Sequence, residues 1–281
     1  MHHQQTVILY HAKCPDGFGA AFAAWKKFGD SAEYIPVKHG GPVPEKMDGR
    51  DIFFVDFCFP KETMSGLAKI AKSVTVLDHH EGVRDVATLF PGVFDPKRSG
   101  STIAWEYFHP DAPMPRLMRH LEDGDLYRYE LPETRDIFSY LIVMPYDFAV
   151  WDTFAQTLDD TARREEFLKK AANYTEYFKL LADLCVDGAK KVSFEGYECA
   201  FANSHPSITM KSYIGKELYT KFPPFALVVS AHPDGFGVSI RGDGTVDVSK
   251  IAEKYGGSGH PESSGFFIKA SMPLPWVEIK D

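Results

Sequence analysis

The sequence predicts an α/β protein in which a doubly wound, mainly parallel sheet domain is joined by a helical linker to a smaller α/β domain. Three observations predict it. From residue 6 to about 135, apolar runs alternate with amphipathic stretches, the pattern of parallel strands covered on both faces by helices. Residues 160–187 carry apolar side chains at helical spacing and stop at Gly188, a preferred residue after a helix. Beyond them, short β-rich runs resume with helical stretches between. A length of 281 residues suggests about two domains. The expected boundaries are 1–150, 151–190 for the linker, and 191–281.

In chain order, the first domain reads as strand TVILY, helix GAAFAAWKKFG, strand DIFFVDF, helix PKETMSGLAKIAK, strand VTVLD and helix STIAWEYF. The second reads as strands YECAFANS, FALVVSAH and FGVSIRG, with one helix between the first two and another, DVSKIAEKY, after the last. The string PDGFG occurs in both domains, around Asp16 and Asp234. Pro, Asp and Gly suit a turn in either place. The first copy precedes an Ala-rich helical stretch, so it is expected at a strand-to-helix junction, where α/β proteins bind ligands. The second precedes the β-branched run GVSIR and is expected to be a hairpin turn, which leaves Asp234 structural.

Composition narrows the partners. A net charge of −8 and a pI near 5.8 argue against an extended duplex-DNA surface, which needs clustered Lys and Arg. A short anionic ligand remains compatible. The cysteines at 14, 58, 185 and 199 have no CxxC spacing, so neither a zinc knuckle nor a disulfide scaffold is expected. The apolar stretch IFSYLIVMPYDFAVW is broken by Pro145 and Asp147, and MHHQQ lacks a signal-peptide core. A cytoplasmic protein without a membrane partner is the expectation.

The ionisable residues of the first domain fall at strand ends: His11 and Asp16 after the first, Asp56 ending the second, and Asp78, His79 and His80 ending the third. Taken alone, Asp56 is also a good helix N-cap, and a His pair is also ordinary surface chemistry. Three successive strand ends behaving alike favour a metal site, because gathered carboxylates and imidazoles are stabilised by a shared cation. In the second domain GGSGH follows a helical stretch. Its glycines serve either as a helix C-cap or as a backbone anion nest at Gly257 and Gly259, with Arg241 and His260 adding charge-assisted bonds to a phosphate. The aromatic-rich DLYRYELPETRDIFSY suits core packing or base stacking.

VLDHHEG at 76–82, VDF some twenty residues earlier and HAKCPDGFGAA at the first strand together resemble the DHH phosphoesterase superfamily. VSIRGDGTVDVSKIAEKYGGSGHPESSGF resembles the substrate domain associated with it, DHHA1. Within the superfamily, the likeness is to short single-chain phosphohydrolases and oligoribonuclease-like (nanoRNase-like) phosphodiesterases. The resemblance implies two divalent metal ions, normally Mn2+, with Mg2+, Co2+ or Zn2+ as alternatives. It implies His11, Asp16 and His79 as ligands, Asp56 as the bridge, Asp78 orienting the site and His80 facing the substrate phosphate. A further Asp ligand is implied with an aromatic residue four positions on; Asp125 (Tyr129) and Asp123 (Tyr127) both fit. The superfamily's first motif usually has another Asp where this chain has Cys14, a softer ligand.

The expected activity is hydrolysis of short oligonucleotides or linear dinucleotides by a water activated between two cations. The alternatives are phosphomonoester hydrolysis on 3′-phosphoadenosine-type nucleotides, exopolyphosphatase activity, and non-catalytic nucleotide binding. The expected partner is a short oligonucleotide or small phosphorylated nucleotide, and a homodimer is compatible with the sequence.

Overall fold

The computed structural model describes residues 4–38, 40–205 and 208–280. The chain divides into two compact units, Met1–Thr175 and Glu176–Asp281.

The first unit runs β1 (Thr6–His11), α1 (Pro15–Phe28), β2 (Ala32–Val37), β3 (Asp51–Val55), α2 (Lys61–Ile70), β4 (Ser73–Asp78), α3 (Arg84–Ala87), β5 (Gly92–Phe94), α4 (Gly100–Phe108), α5 (Arg116–Asp125), α6 (Thr134–Leu141) and α7 (Phe148–Asp159). The long helix α8 (Thr161–Asp187) contains the division between the units. All the strand pairs of this unit are parallel, in the order β2-β1-β3-β4-β5. Alternate residues of each strand serve opposite faces. Ile8, Val55 and Leu77 pack with α1, α4, α5 and α7, while Val7, Leu9, Ile52, Phe54, Val74 and Val76 pack with Met64 and Leu67 of α2. This is the doubly wound arrangement the apolar strands predict. Two strands lack that signature. β2 contains Pro36, tolerated because β2 is an edge strand, and β5 is only three residues long.

The winding reverses between β1 and β3, and in open α/β sheets ligands bind outside the carboxyl ends of the strands at such a switch point. The first PDGFG lies there: Pro15 is the first residue of α1 and Cys14 its N-cap. Pro suits that position because its missing N–H has no helical acceptor to satisfy.

The second unit contains β6 (Lys190–Phe194), β7 (Tyr197–Asn203), α9 (Ile208–Lys221), β8 (Phe225–His232), β9 (Gly235–Gly242), α10 (Val248–Lys254), β10 (Ser258–His260), β11 (Ser263–Lys269) and β12 (Val277–Glu278). Its sheet has the order β10-β11-β9-β8-β7-β6-β12, with β7 and β8 parallel across α9 and the other pairs antiparallel. β6, β10, β11 and β12 are additions to the three strands read from the sequence. The second PDGFG joins β8 to β9 as a hairpin turn, with His232 opposite Gly235 and Asp234 exposed. Among the described residues, no helix is long and apolar enough to cross a membrane.

Candidate metal centre

Six of the residues singled out in the first unit converge at the β1/β3 switch point, and Cys14 joins them. The ligand atoms of His11, Cys14 and Asp56 lie within 4.8 Å of one another, as do those of Asp56, His79 and His80, and those of Asp16, His79 and Asp125. Asp56 and His79 each belong to two of the three groups. They form the middle of one continuous cluster.

Local structure explains how each side chain arrives. His11 ends β1, Asp16 lies in the first turn of α1, and Asp78 ends β4 with His79 and His80 directly after it. Asp56 follows β3 and adopts φ 63°, a left-handed conformation that Asp tolerates better than most residues. It does not cap α2, whose N-cap is Pro60. A buried, non-glycine residue at positive φ is backbone strain of the kind found at functional sites. Asp56 is 1% exposed; its Oδ1 lies 3.2 Å from His79 Nε2 and its Oδ2 lies 3.3 Å from His11 Nδ1. The two oxygens thus address different neighbours.

Asp16 is also 1% exposed. Its Oδ1 accepts a hydrogen bond from the Ser101 N–H at 3.1 Å, and its Oδ2 lies 3.9 Å from His79 Nε2. Asp125 Oδ2 lies 3.6 Å from the same nitrogen. Asp78 is fully buried, and its Oδ1 accepts from the backbone N–H groups of His79 (2.7 Å) and His80 (3.0 Å) and sits 2.8 Å from His80 Nδ1. Asp78 therefore fixes both the backbone turn and the His80 ring, and belongs to none of the three ligand groups.

The charges are mismatched for a site containing protein alone. Burial pushes the Asp16 carboxyl well above the usual carboxylate range, and the charges of Asp125 and Asp56 add to the shift. Burial likewise raises Asp125, against the pull of His79. Burial also opposes ionisation of Asp56, yet His11 and His79 outweigh it and hold this carboxyl well below the usual range. For His79 burial favours the neutral ring, but Asp56 and Asp125 push it up to about 10; for His80, Asp78 and Asp56 push it up to about 9 against the same effect. Among the described residues, Asp16 Oδ2 is buried without a hydrogen-bond partner, and the buried Asp56 Oδ2 faces the His11 ring. Buried carboxylate oxygens brought together from α1 and the turn after β3 are what a bound cation satisfies, so the donor set fits divalent metal.

Asp123 lies outside the cluster. Its carboxylate accepts from the N–H groups of Glu130 (2.9 Å) and Leu131 (3.1 Å) and from Thr134 Oγ1 (2.5 Å). It organises the turn after α5, where Tyr127 and Tyr129 both have positive φ. Asp125 is therefore the acid of α5 that reaches the centre. Sequence reasoning passed over Gly100 and Ser101. Ser99 caps α4, placing the Ser101 N–H on Asp16, and a Cβ at Gly100 would fall 2.6 Å from Asp56 Cβ and 3.0 Å from Asp16 Oδ2. The signal was present as SGST: a capping Ser followed by a residue with no side chain.

In the second unit, Arg241 on β9 is held by Ser212 Oγ (3.3 Å) on α9 and by the carbonyls of Ile240 (3.0 Å) and Ser264 (3.3 Å). His260 is exposed on β10. Gly257 and Gly259 have a packing reason of their own: a Cβ would fall 2.1 Å from Gly265 O at the first and 2.5 Å from Ser263 O at the second. Their close approach to β11 requires glycine at both positions.

No protein-family model matches the chain. It is 29% identical to an uncharacterized protein of Acanthamoeba polyphaga mimivirus over 98% of this chain and 71% of that one. Three solved structures are similar. A DHH domain described as a member of the s1p family of ribosomal proteins has a TM-score of 0.56 at 15% identity, over 94% of this chain and 83% of that one. A pGpG-specific phosphodiesterase from Vibrio cholerae has a TM-score of 0.52 at 14% identity, over 94% and 93%. RecJ from Thermus thermophilus in complex with Mn2+ has a TM-score of 0.52 at 12% identity, over 95% of this chain and 50% of that one. Likeness at these identities speaks to architecture alone, and the fold of this chain is the one these three structures share.

Proposed function

We propose that the protein is a metal-dependent phosphodiesterase that hydrolyses short oligonucleotides or linear dinucleotides. The observation that carries this reading is the continuous cluster at the β1/β3 switch point, with Asp56 and His79 shared between ligand groups and the buried Asp16 Oδ2 without a hydrogen-bond partner. The similarity to a protein described as a pGpG-specific phosphodiesterase supports a dinucleotide-sized substrate, as does the net charge of −8.

In this reading His11, Cys14 and Asp56 hold one divalent cation, and Asp16, His79 and Asp125 with Asp56 hold a second. The similarity to an Mn2+ complex of RecJ supports manganese. When bound, such a pair supplies charge stabilisation for phosphoryl oxygens and lowers the pKa of an attacking water. Asp56 has one oxygen directed to each side of the cluster, which suits a bridging carboxylate. Asp78 orients His80 through Nδ1, and the ring is proposed to face the substrate phosphate. Arg241, with His260, is proposed to bind a substrate phosphate, since a guanidinium forms directional charge-assisted bonds to phosphate oxygens.

The test is a panel of di- to pentanucleotides, cyclic dinucleotides, 3′-phosphoadenosine nucleotides and polyphosphate, each incubated with the protein and Mn2+. Cleavage of linear di- to pentanucleotides is expected, and its abolition by EDTA. Preferential release of phosphate from the monoester or from polyphosphate would replace the reading. Binding without turnover on every substrate would reduce the protein to a nucleotide binder.

A further inference from the structure

The two ends of the cluster differ in chemistry. His11, Cys14 and Asp56 offer nitrogen, sulfur and oxygen, whereas Asp16, His79 and Asp125 offer two carboxylates and one imidazole. We infer that the centre is built for two unlike metals: a thiophilic dication such as Zn2+ at the His11–Cys14–Asp56 end, and a hard dication such as Mn2+ or Mg2+ at the other. The inference rests on the metal-centre reading above and names the metals of that centre.

Three observations carry it. Cys14 Sγ lies within 4.8 Å of the ligand atoms of both His11 and Asp56, so the thiol is part of a three-donor set rather than an isolated cysteine. Asp56, 1% exposed, turns its Oδ2 to this end, 3.3 Å from His11 Nδ1; it is a buried acceptor beside the thiol. Cys14 is the N-cap of α1, and Pro15 directly after it fixes the turn that carries the sulfur. Thiolate ligands favour Zn2+, while carboxylate-rich sites suit Mn2+ and Mg2+. On coordination the thiol proton leaves to solvent and the sulfur lone pair goes to the metal. Among the described residues, the other three cysteines belong to no such group.

The test follows the sulfur rather than turnover. Metal-free full-length protein is titrated with Co2+ and with Cd2+ while the thiolate-to-metal charge-transfer absorption is recorded. The band is expected in the wild type and in Cys58→Ser, and lost in Cys14→Ser. In competition titrations Cys14→Asp should lower the preference for Zn2+ over Mn2+ by at least tenfold. If the substitutions impair folding, alkylation of the wild type answers the same question: Zn2+ should protect Cys14 at least tenfold and Mg2+ should not. A band that persists in Cys14→Ser, an unchanged Zn2+/Mn2+ ratio in Cys14→Asp, or equal alkylation with and without Zn2+ overturns the inference. Its failure is distinct from that of the proposed function. Hydrolysis with Mn2+ and no band sinks the mixed-metal centre alone, and a band without hydrolysis sinks the phosphodiesterase alone.

Discussion

Replacing Asp16 by Asn should leave the metal-free protein at least as stable as the wild type while weakening its response to metal. The substitution keeps the shape and the acceptor oxygen that meets the Ser101 N–H, and removes one buried charge. The ligand oxygens of Asp16 and Asp125 lie within 4.8 Å, so at an effective dielectric of about 20 their charges repel by at least ~3.5 kcal/mol. His79 Nε2, 3.9 Å from Asp16 Oδ2, returns roughly 4 kcal/mol of attraction on the same scale. These two nearly cancel. What remains is the repulsion from Asp56 and the desolvation of a carboxylate that is 1% exposed, costs the amide largely avoids. The metal-free variant should therefore gain about 1–2 kcal/mol.

With metal the order of effects changes. At a concentration of about 100 Kd the wild type gains roughly 2.7 kcal/mol from a bound cation. An amide is a poor ligand beside a dication, and a tenfold weaker site would gain only about 1.4 kcal/mol. Thermal unfolding of both proteins in EDTA and in Mn2+, with calorimetric metal titration, measures the two effects separately. Asp16→Asn being less stable than wild type in EDTA, or showing the full Mn2+-induced shift, would refute the reasoning.

Other substitutions separate the remaining roles. Asp123→Ala should cost at least ~2 kcal/mol, because it strands the N–H groups of Glu130 and Leu131 and the Thr134 hydroxyl; metal bound per folded molecule should not change, and a drop would return Asp123 to the ligand set. Arg241→Ala should weaken substrate binding by about 1.5–3 kcal/mol at constant metal content, and an unchanged KM would remove Arg241 from phosphate binding. Glu122 is partly buried, which opposes its ionisation, but the Thr102 hydroxyl, Arg98 and the Ser99 N–H hold its carboxyl below the usual range. Its stabilisation is thus fully present above the unfolded pKa of about 4.3 and lost as pH falls through the lower folded value. The difference in urea midpoint between wild type and Glu122→Gln should be constant near neutrality and shrink at acid pH; a difference unchanged at pH ~3 contradicts this linkage.

The first unit was legible where strands are apolar on both faces. β1, β3 and β4 stand out for that reason. β2 was hidden by Pro36 and its edge position, and β5 by a length too short to show any period. In the second unit β10 and β11 lie within the glycine block, whose residues read as a motif before they read as strands. The convergence of His11, Asp56, His79 and His80 was visible because they stand at successive strand ends. The choice between Asp123 and Asp125 was not, since both fit the same spacing; it is decided by the positive-φ turn after α5, which folds the chain back over Asp123. Asp56 could also have been a cap, and only its φ and its neighbours separate the two roles.

The donors of the cluster come from β1, α1, the turns after β3 and β4, and the end of α5, so a cation finds no complete chelating segment in a nascent or partly folded chain. Zinc fingers, by contrast, draw their ligands from one short stretch and can fold around the ion. An ion held there would arrive after the polypeptide has done its work. It would act as a latch on the finished first unit: metal should slow the rate of opening in denaturant and leave the rate of refolding nearly unchanged, as expected of interactions absent from the folding transition state.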